Sequence, residues 1–248
     1  MVKRLPEALA KAAVTALAAI FALPVAVTAI YSFKDGLKGY LGFFVWQPDF
    51  LRALLMSMMI AFCSSAGAIA VSVLAAYVFS QHEFSGKGAL FYLYIIVMMM
   101  PFQVTLLPQY IVSRSLGVYD TPAAMILPGI FSPFAAFLLT QIMKSIPRDS
   151  IEAARLDTDS TIKVLLKVIV PQMRGGIICA WVLVFTEQWN MVAEPLVLLE
   201  SRENYPLAVL LSGGSDYAAT VIFMLLPLGL FLLFESEILE GLEGYQLK

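Results

Sequence analysis

The stretch KSIPRDSIEAARLDTDSTIKVLLKVIVP, residues 144–171, stands between two long apolar runs and decides how the chain is read. Pro147 stops the apolar run before it, because proline cannot continue a helix hydrogen-bond ladder. Asp149 and Glu152 stand three apart in the pattern of a capping box, which marks the start of a short helix. Ile151, Ala153, Ala154 and Leu156 are small or apolar, and Glu152, Arg155 and Asp157 lie between them. Such a helix falls below the roughly 12–15 residues that persist alone in water, so it must be held by packing.

Outward from this stretch, the chain of 248 residues is 60% hydrophobic and only 14% charged, with a mean hydropathy of +0.84. A soluble domain carries about 25% charged residues, so this composition excludes a water-soluble globule. A membrane-crossing helix needs about 20 largely apolar residues to traverse roughly 30 Å of hydrocarbon. Reading between charges gives spans at about 12–31, 53–80, 89–113, 121–143, 170–199 and 217–235, with the hydrophilic loop at about 144–169. The expected class is all-α, a single polytopic transmembrane domain over 1–248. The first run follows Lys3, Arg4 and Lys11 in the manner of a signal peptide, but it is longer than a usual leader and lacks a small-x-small cleavage site, so it reads as a span.

Lysine and arginine collect in short loops on the cytoplasmic side. With the N-terminus inside, the inner segments hold Lys3, Arg4, Lys11, Lys87, Lys144, Arg148, Arg155, Lys163, Lys167, Arg174 and Lys248. The outer segments hold only Lys34, Lys38, Arg52, Arg114 and Arg202. Both termini and the 144–169 loop are therefore expected in the cytoplasm, where a soluble partner would dock on the loop.

Several function classes are excluded. The net charge of −2 gives no basic stripe for nucleic acid. Cys63 and Cys179 lie apart in apolar runs, which suggests neither a disulfide framework nor a zinc site, and the lone His82 reads as a solvated turn residue. There is no phosphate-binding G-x-x-x-x-G-K-[ST] loop, so any ATP and Mg must bind on another chain. An embedded enzyme lacks a second acid in another span to work with Glu187.

Ile146-Pro147, Glu152-Ala153-Ala154, Asp157 and Val170-Pro171 stand at the spacing of the cytoplasmic E-A-A loop of bacterial ABC importer permeases, which the chain resembles. The resemblance extends to sugar-type, MalG-like permeases through Leu107-Pro108-Gln109-Tyr110, Leu116-Gly117, Trp189-Asn190, Pro195-Leu196, Tyr205-Pro206-Leu207 and the tail from Glu240 to Lys248. It implies the type I ABC importer permease fold, with a coupling helix seated in a cleft of an ATP-binding subunit through Glu152, Ala153, Ala154, Asp157 and Thr158. The partners it implies are a second homologous permease, two ATP-binding cassette subunits, an extracellular solute-binding protein and the lipid bilayer. The implied function is import of a carbohydrate or similar small solute; a divergent complex with an extracellular adaptor, handling a peptide or lipid-like solute or working in export, is the alternative. The chain departs from the family at Thr158, which replaces a glycine and implies a different turn, at Glu187, and in a tail made acidic by Glu235, Glu237, Glu240 and Glu243.

Glu187 lies midway along the fifth span, and an ionisable group there costs at least about 2.5–3.5 kcal/mol unless it faces a cavity or partner. Glu187 and Asn190 are therefore the candidate residues of a translocation pathway, with a hydrogen bond to a neighbouring span as the structural alternative for each. Glu194 reads as solvated nearer the outer surface, Trp189 as packing or an interfacial anchor, and Met98, Met99 and Met100 as core filling. Pro101 and Pro108 are expected to kink the third span, and Gly175 and Gly176 to permit a bend or a close helix approach. The outer segment Glu200–Asp216, with Gly213-Gly214 at its tip, is the expected contact for an extracellular partner.

Overall fold

The longest helix, α2 (Pro48–Gln81), is the axis on which the others pack. One of its faces buries Ala53, Ser57, Ala61, Ser64, Ala68, Ser72 and Ala76, spaced three or four apart. Small side chains at that spacing let neighbouring helix backbones approach closely in lipid, where association depends on packing contacts and hydrogen bonds rather than on expulsion of water. The computed structural model describes residues 7–34, 36, 39–42, 47–214 and 216–243. Among them there is no strand. Lys3, Arg4, Lys38, Lys248 and the tail motif beyond residue 243, all used in reading orientation or family, lie outside the described residues.

The remaining helices are α1 (Glu7–Ser32), α3 (Lys87–Met98), α4 (Phe102–Ser115), α5 (Pro122–Gly129), α6 (Pro133–Ser145), α7 (Arg148–Asp157), α8 (Thr161–Gln172), α9 (Arg174–Trp189), α10 (Ala193–Leu198), α11 (Leu207–Ser212), α12 (Tyr217–Leu233) and α13 (Glu235–Glu243). Three helical segments are long and apolar enough to cross a membrane alone: Ala10–Ser32, Pro48–Gln81 and Pro122–Ser145, the last joining α5 and α6. Three bent pairs bring the number to as many as six: α3 with α4 at 97°, α8 with α9 at 81°, and α12 with α13 at 63°.

The third expected span is thus two helices. Its break falls at Met99–Pro101, where Pro101 has no N–H to donate and caps α4 instead. Pro108 sits inside α4. Met98, Met99 and Met100 are exposed at this break, so the core-filling expectation for them is corrected. The fifth span is also divided. Leu165–Ile169 is wound as a π-turn, with Val170 N–H reaching Leu165 O, just before Pro171, whose ring would meet the Lys167 carbonyl in a regular helix. The chain then breaks at Met173, and α9 ends at Asn190 rather than continuing to 199.

Gly175 and Gly176 serve close approach, as their type suggested. A Cβ on Gly176 would lie 2.5 Å from Ile142 Cδ1, and one on Gly241 would lie 3.0 Å from the Gly175 carbonyl and 3.1 Å from Cys179 Cβ. Backbone therefore meets backbone where α13 crosses α9. Trp189 is 1% exposed, stacked between Phe185 and Phe223, and its Nε1 donates to Phe223 O at 3.2 Å. It is a packing residue. Cys63 and Cys179 are free thiols.

Candidate functional site

Two places in this frame gather the residues singled out from the sequence. The first is α7. Its N-cap is Pro147, with no side-chain cap bond, so the expected Asp149–Glu152 capping box does not form. Proline fixes the entry two residues early and leaves Asp149 in the first turn, where its charge suits the positive end of the helix dipole. Ile151, 4% exposed, enters a cluster made by Val73 and Tyr77 of α2, Leu139 and Met143 of α6, and Val164, Leu165 and Ile169 of α8. Ala154 is half-buried against the same cluster, and Arg155 Nη2 donates to Tyr77 Oη at 3.4 Å. Ser150 Oγ donates to Pro147 O at 2.8 Å.

Seated in this way, α7 turns Glu152, Ala153, Leu156 and Asp157 outward. Leu156 is 90% exposed. It was not singled out from sequence, and it lies opposite the face through which the helix is anchored. Ala154 belongs to the anchoring face rather than the outward one. Thr158 adopts φ −158°, extended backbone open to any residue, so no glycine is required there. Its Oγ1 accepts from Ser160 N at 3.3 Å, and Ser160 in turn caps α8 through Lys163 N.

The second place is a cavity of about 130 Å³ at the far end of α9, lined by Gln109 of α4, Gly129 of α5, Ser132, Glu187 and Gln188 of α9, and Glu194 of α10. The bend between α3 and α4 brings Gln109 to this cavity, and the break after Trp189 brings Glu194 back beside Glu187. Glu194 is therefore part of the polar pocket and not simply a solvated rim residue. Asn190 is not among the lining residues; it caps α9, is exposed, and its Nδ2 donates to Thr186 O at 2.8 Å within the same helix. Behind the pocket, a Cβ on Gly129 would lie 2.7 Å from Ser64 Oγ and 3.0 Å from Gln188 Oε1. Those two buried oxygens have no hydrogen-bond partner among the described protein groups.

At the same end, the turn before α5 is locked to the segment after α10. Asp120 holds φ +57°, and its carboxylate accepts from Glu200 N at 2.8 Å, Ser201 N at 2.9 Å, Ser201 Oγ, and Asn204 Nδ2 at 3.2 Å. Desolvation pushes the Asp120 carboxyl up, but the bonds from Ser201, Glu200 N and Asn204 outweigh it and hold the group down at about 2. Nothing in the local sequence announces this clamp, because its donors lie some 80 residues away. A wider cavity of about 440 Å³ opens nearby between Gln47, Asp49, Arg202, Gly214 and Asp216.

A family model described as "Binding-protein-dependent transport system inner membrane component" matches residues 68–240, which run from the middle of α2 to α13 and include both places. The chain belongs to this family. Among similar members of the binding-protein-dependent transport family is the arabinooligosaccharides transport system permease protein AraQ of Bacillus subtilis, 30% identical over 175 residues, covering 67% of this chain and 62% of that protein. The chain spans less than two thirds of the length of that relative. The trehalose transport system permease protein SugB of Mycobacterium tuberculosis is 30% identical, covering 80% of this chain and 76% of that one. The lactose transport system permease protein LacG of Rhizobium radiobacter is 25% identical, covering 86% and 81%. The fold is shared with a bacterial ABC transporter involved in the import of the acidic polysaccharide alginate, at a TM-score of 0.76 and 18% identity over 96% of this chain and 98% of the other. As a member of this family, the chain is a multi-pass membrane protein.

Proposed function

We propose that the chain is one membrane-spanning subunit of an ATP-driven carbohydrate importer, that it does no chemistry itself, and that α7 is its coupling helix. The observation that carries this reading is the two-faced seating of α7: Ile151 and Ala154 fix it to the bundle, while Glu152, Ala153 and the bared Leu156 point away. The arabinooligosaccharide, trehalose and lactose systems of the relatives named above support a saccharide as the solute. One of two ATP-binding cassette subunits, which carry ATP and Mg, receives the outward face of α7; Leu156 fills an apolar notch and Glu152 meets a basic group that sets the register. The α7 end of the bundle is then cytoplasmic, as are both termini. A second, homologous permease completes the membrane part, and an extracellular solute-binding protein docks at the end that holds the Asp120 clamp and the Arg202–Asp216 cavity.

Closure of the ATP-binding subunits pushes α7, and because Ile151 is packed simultaneously on α2, α6 and α8, the push moves those helices as one body. Alternating access is then a two-state equilibrium biased by nucleotide. Glu187, Gln188, Gln109 and Glu194 give the pathway hydrogen-bonding groups suited to hydroxyl-rich solutes. The test is transport by the complete complex carrying Glu152→Lys. Loss of solute-stimulated ATP hydrolysis with the complex still assembled agrees with the reading, and full stimulation overturns it.

A further inference from the structure

A second polar cavity, remote from the Glu187 pocket, lies at the α7 end of the bundle. It has a volume of about 360 Å³ and is lined by Phe79 of α2, Glu83, Phe84 and Gly86 of the following turn, Lys87, Gly88 and Phe91 of α3, and Lys144 of α6. Its two lysines are held in different ways. Lys87 Nζ lies 2.9 Å from Glu83 Oε1, with its own stem largely buried, and Lys144 Nζ stands 4.9 Å over the Phe91 ring. The Glu83 carboxyl sits below its ordinary range, first through the hydrogen bond and charge of Lys87 and further through the fields of Arg148 and Lys144. Lys87 is thus already bonded to Glu83, while Lys144 faces an aromatic ring and no carboxylate partner is among its contacts in the described residues.

The walls are aromatic. The Phe79 ring centroid lies 5.3 Å from that of Phe91 and 6.3 Å from that of Phe84. The floor is bare backbone: Cβ atoms on Gly86, at φ +85°, or on Gly88 would meet nothing within 4 Å. A cavity that sets ammonium groups beside phenyl rings, at the point where two apolar helices leave the hydrocarbon, matches an amphiphile with an anionic head. It does not match a free anion, which would gain nothing from the rings. Basic pockets between spans on the cytoplasmic side are suited to acidic lipid head groups.

We propose that this cavity binds the phosphate head group of an anionic phospholipid from the cytoplasmic leaflet, with the phosphate between Lys87 and Lys144 and the upper acyl and glycerol carbons against Phe79, Phe84 and Phe91. The leaflet assignment rests on the orientation given under the proposed function. Because Lys144 lies in the last turn of α6, three residues before Pro147, a lipid held there braces the hinge from which α7 departs.

The test uses the complete transporter reconstituted in nanodiscs of phosphatidylcholine with or without phosphatidylglycerol, and reads retained lipid by native mass spectrometry. Selective retention of phosphatidylglycerol is expected, with a loss of about fivefold for each of Lys87→Gln and Lys144→Gln, the effect of one charge near an acidic surface. Glu83→Gln, which removes the competing carboxylate, is expected to keep or strengthen retention. Equal retention of the two lipids, or retention unchanged in the double lysine variant, overturns the proposal, and so does displacement of the lipid by inorganic phosphate alone. In a Cys63→Ser background, Ser85→Cys labelled by a membrane-impermeant thiol reagent from the cytoplasmic side checks the orientation separately. Labelling from the outside would move the site to the other leaflet without touching the lipid result.

Discussion

Replacing Asp120 removes a carboxylate that four donors share and leaves the α4–α5 turn tied to residues 200–204 by the Asn204 Nδ2 bond to Asp120 O at 2.6 Å. The magnitude follows from its titration. Its folded-state value of about 2 against an ordinary 3.8 corresponds at most to about 2.4 kcal/mol, which solvent screening at this partly exposed site reduces to about 1–2 kcal/mol. Asp120→Ala adds about 1–2 kcal/mol more, because alanine takes the left-handed φ of +57° poorly. Asp120→Gly relieves that second cost and Asp120→Asn retains both the φ tolerance and one acceptor, so the expected order of damage is Ala, then Gly, then Asn. Because the folded value is depressed, the stabilisation is complete above the ordinary carboxylate range and is lost as the pH falls from about 4 to about 2. The assay is amide hydrogen exchange at Glu200 and Ser201 in the detergent-solubilised chain. Lower protection, taken as the exchange rate relative to the intrinsic rate at the same pH, is expected in Asp120→Ala, and in the wild type on acidification through that window. Equal protection in wild type and Asp120→Ala, or protection indifferent to pH across the window, refutes the reasoning.

Ile151→Ala empties a site shared by α2, α6 and α8 and is expected to lower stability by about 2–4 kcal/mol, read as a drop in Tm. Gly241→Ala forces a methyl against the immovable Gly175 carbonyl at 3.0 Å and should part α13 from α9, exposing Cys179 to thiol labelling at a cost of about 1–3 kcal/mol. Glu187→Gln should leave folding unchanged and raise the KM for transport by about two- to tenfold, the loss of one hydrogen bond accepted from a solute hydroxyl.

What the sequence disclosed, and what it withheld, divides along the range of the interactions involved. The Glu152-Ala153-Ala154 block, the prolines flanking it and the apolar runs are local patterns, and each marks an element or an end of one. Pro101 marked a kink for the same reason, although the 97° angle depends on what α3 and α4 pack against. The capping box at Asp149 failed because Pro147 enters the helix first, a competition between two local signals that the sequence leaves open. The π-turn before Pro171 is an accommodation of a helix to a proline it must carry, and a run of valine, isoleucine and leucine gives no hint of it. The polar pocket was half legible: Glu187 drew notice as an acid in an apolar run, but Gln109 and Glu194 reach it only after two chain breaks. Asn190 looked equivalent to Glu187 until its own helix claimed its amide. Leu156 went unread because an apolar residue on an amphipathic helix is ordinarily buried, and only the seating of Ile151 shows which face is which.

The central claim is that the outward face of α7 receives an ATP-hydrolysing subunit. The most direct measurement is co-purification of the chain carrying Leu156→Asp from its native membrane, with stoichiometric partners weighed and their ATP hydrolysis assayed. Leu156 touches nothing within the chain at 90% exposure, so the fold and the membrane-embedded partner should survive the change. The account predicts that the ATP-hydrolysing subunit docked on α7 is lost, so that fewer such subunits are recovered for each second permease, which remains. Retention of that subunit with full solute-stimulated hydrolysis would contradict it.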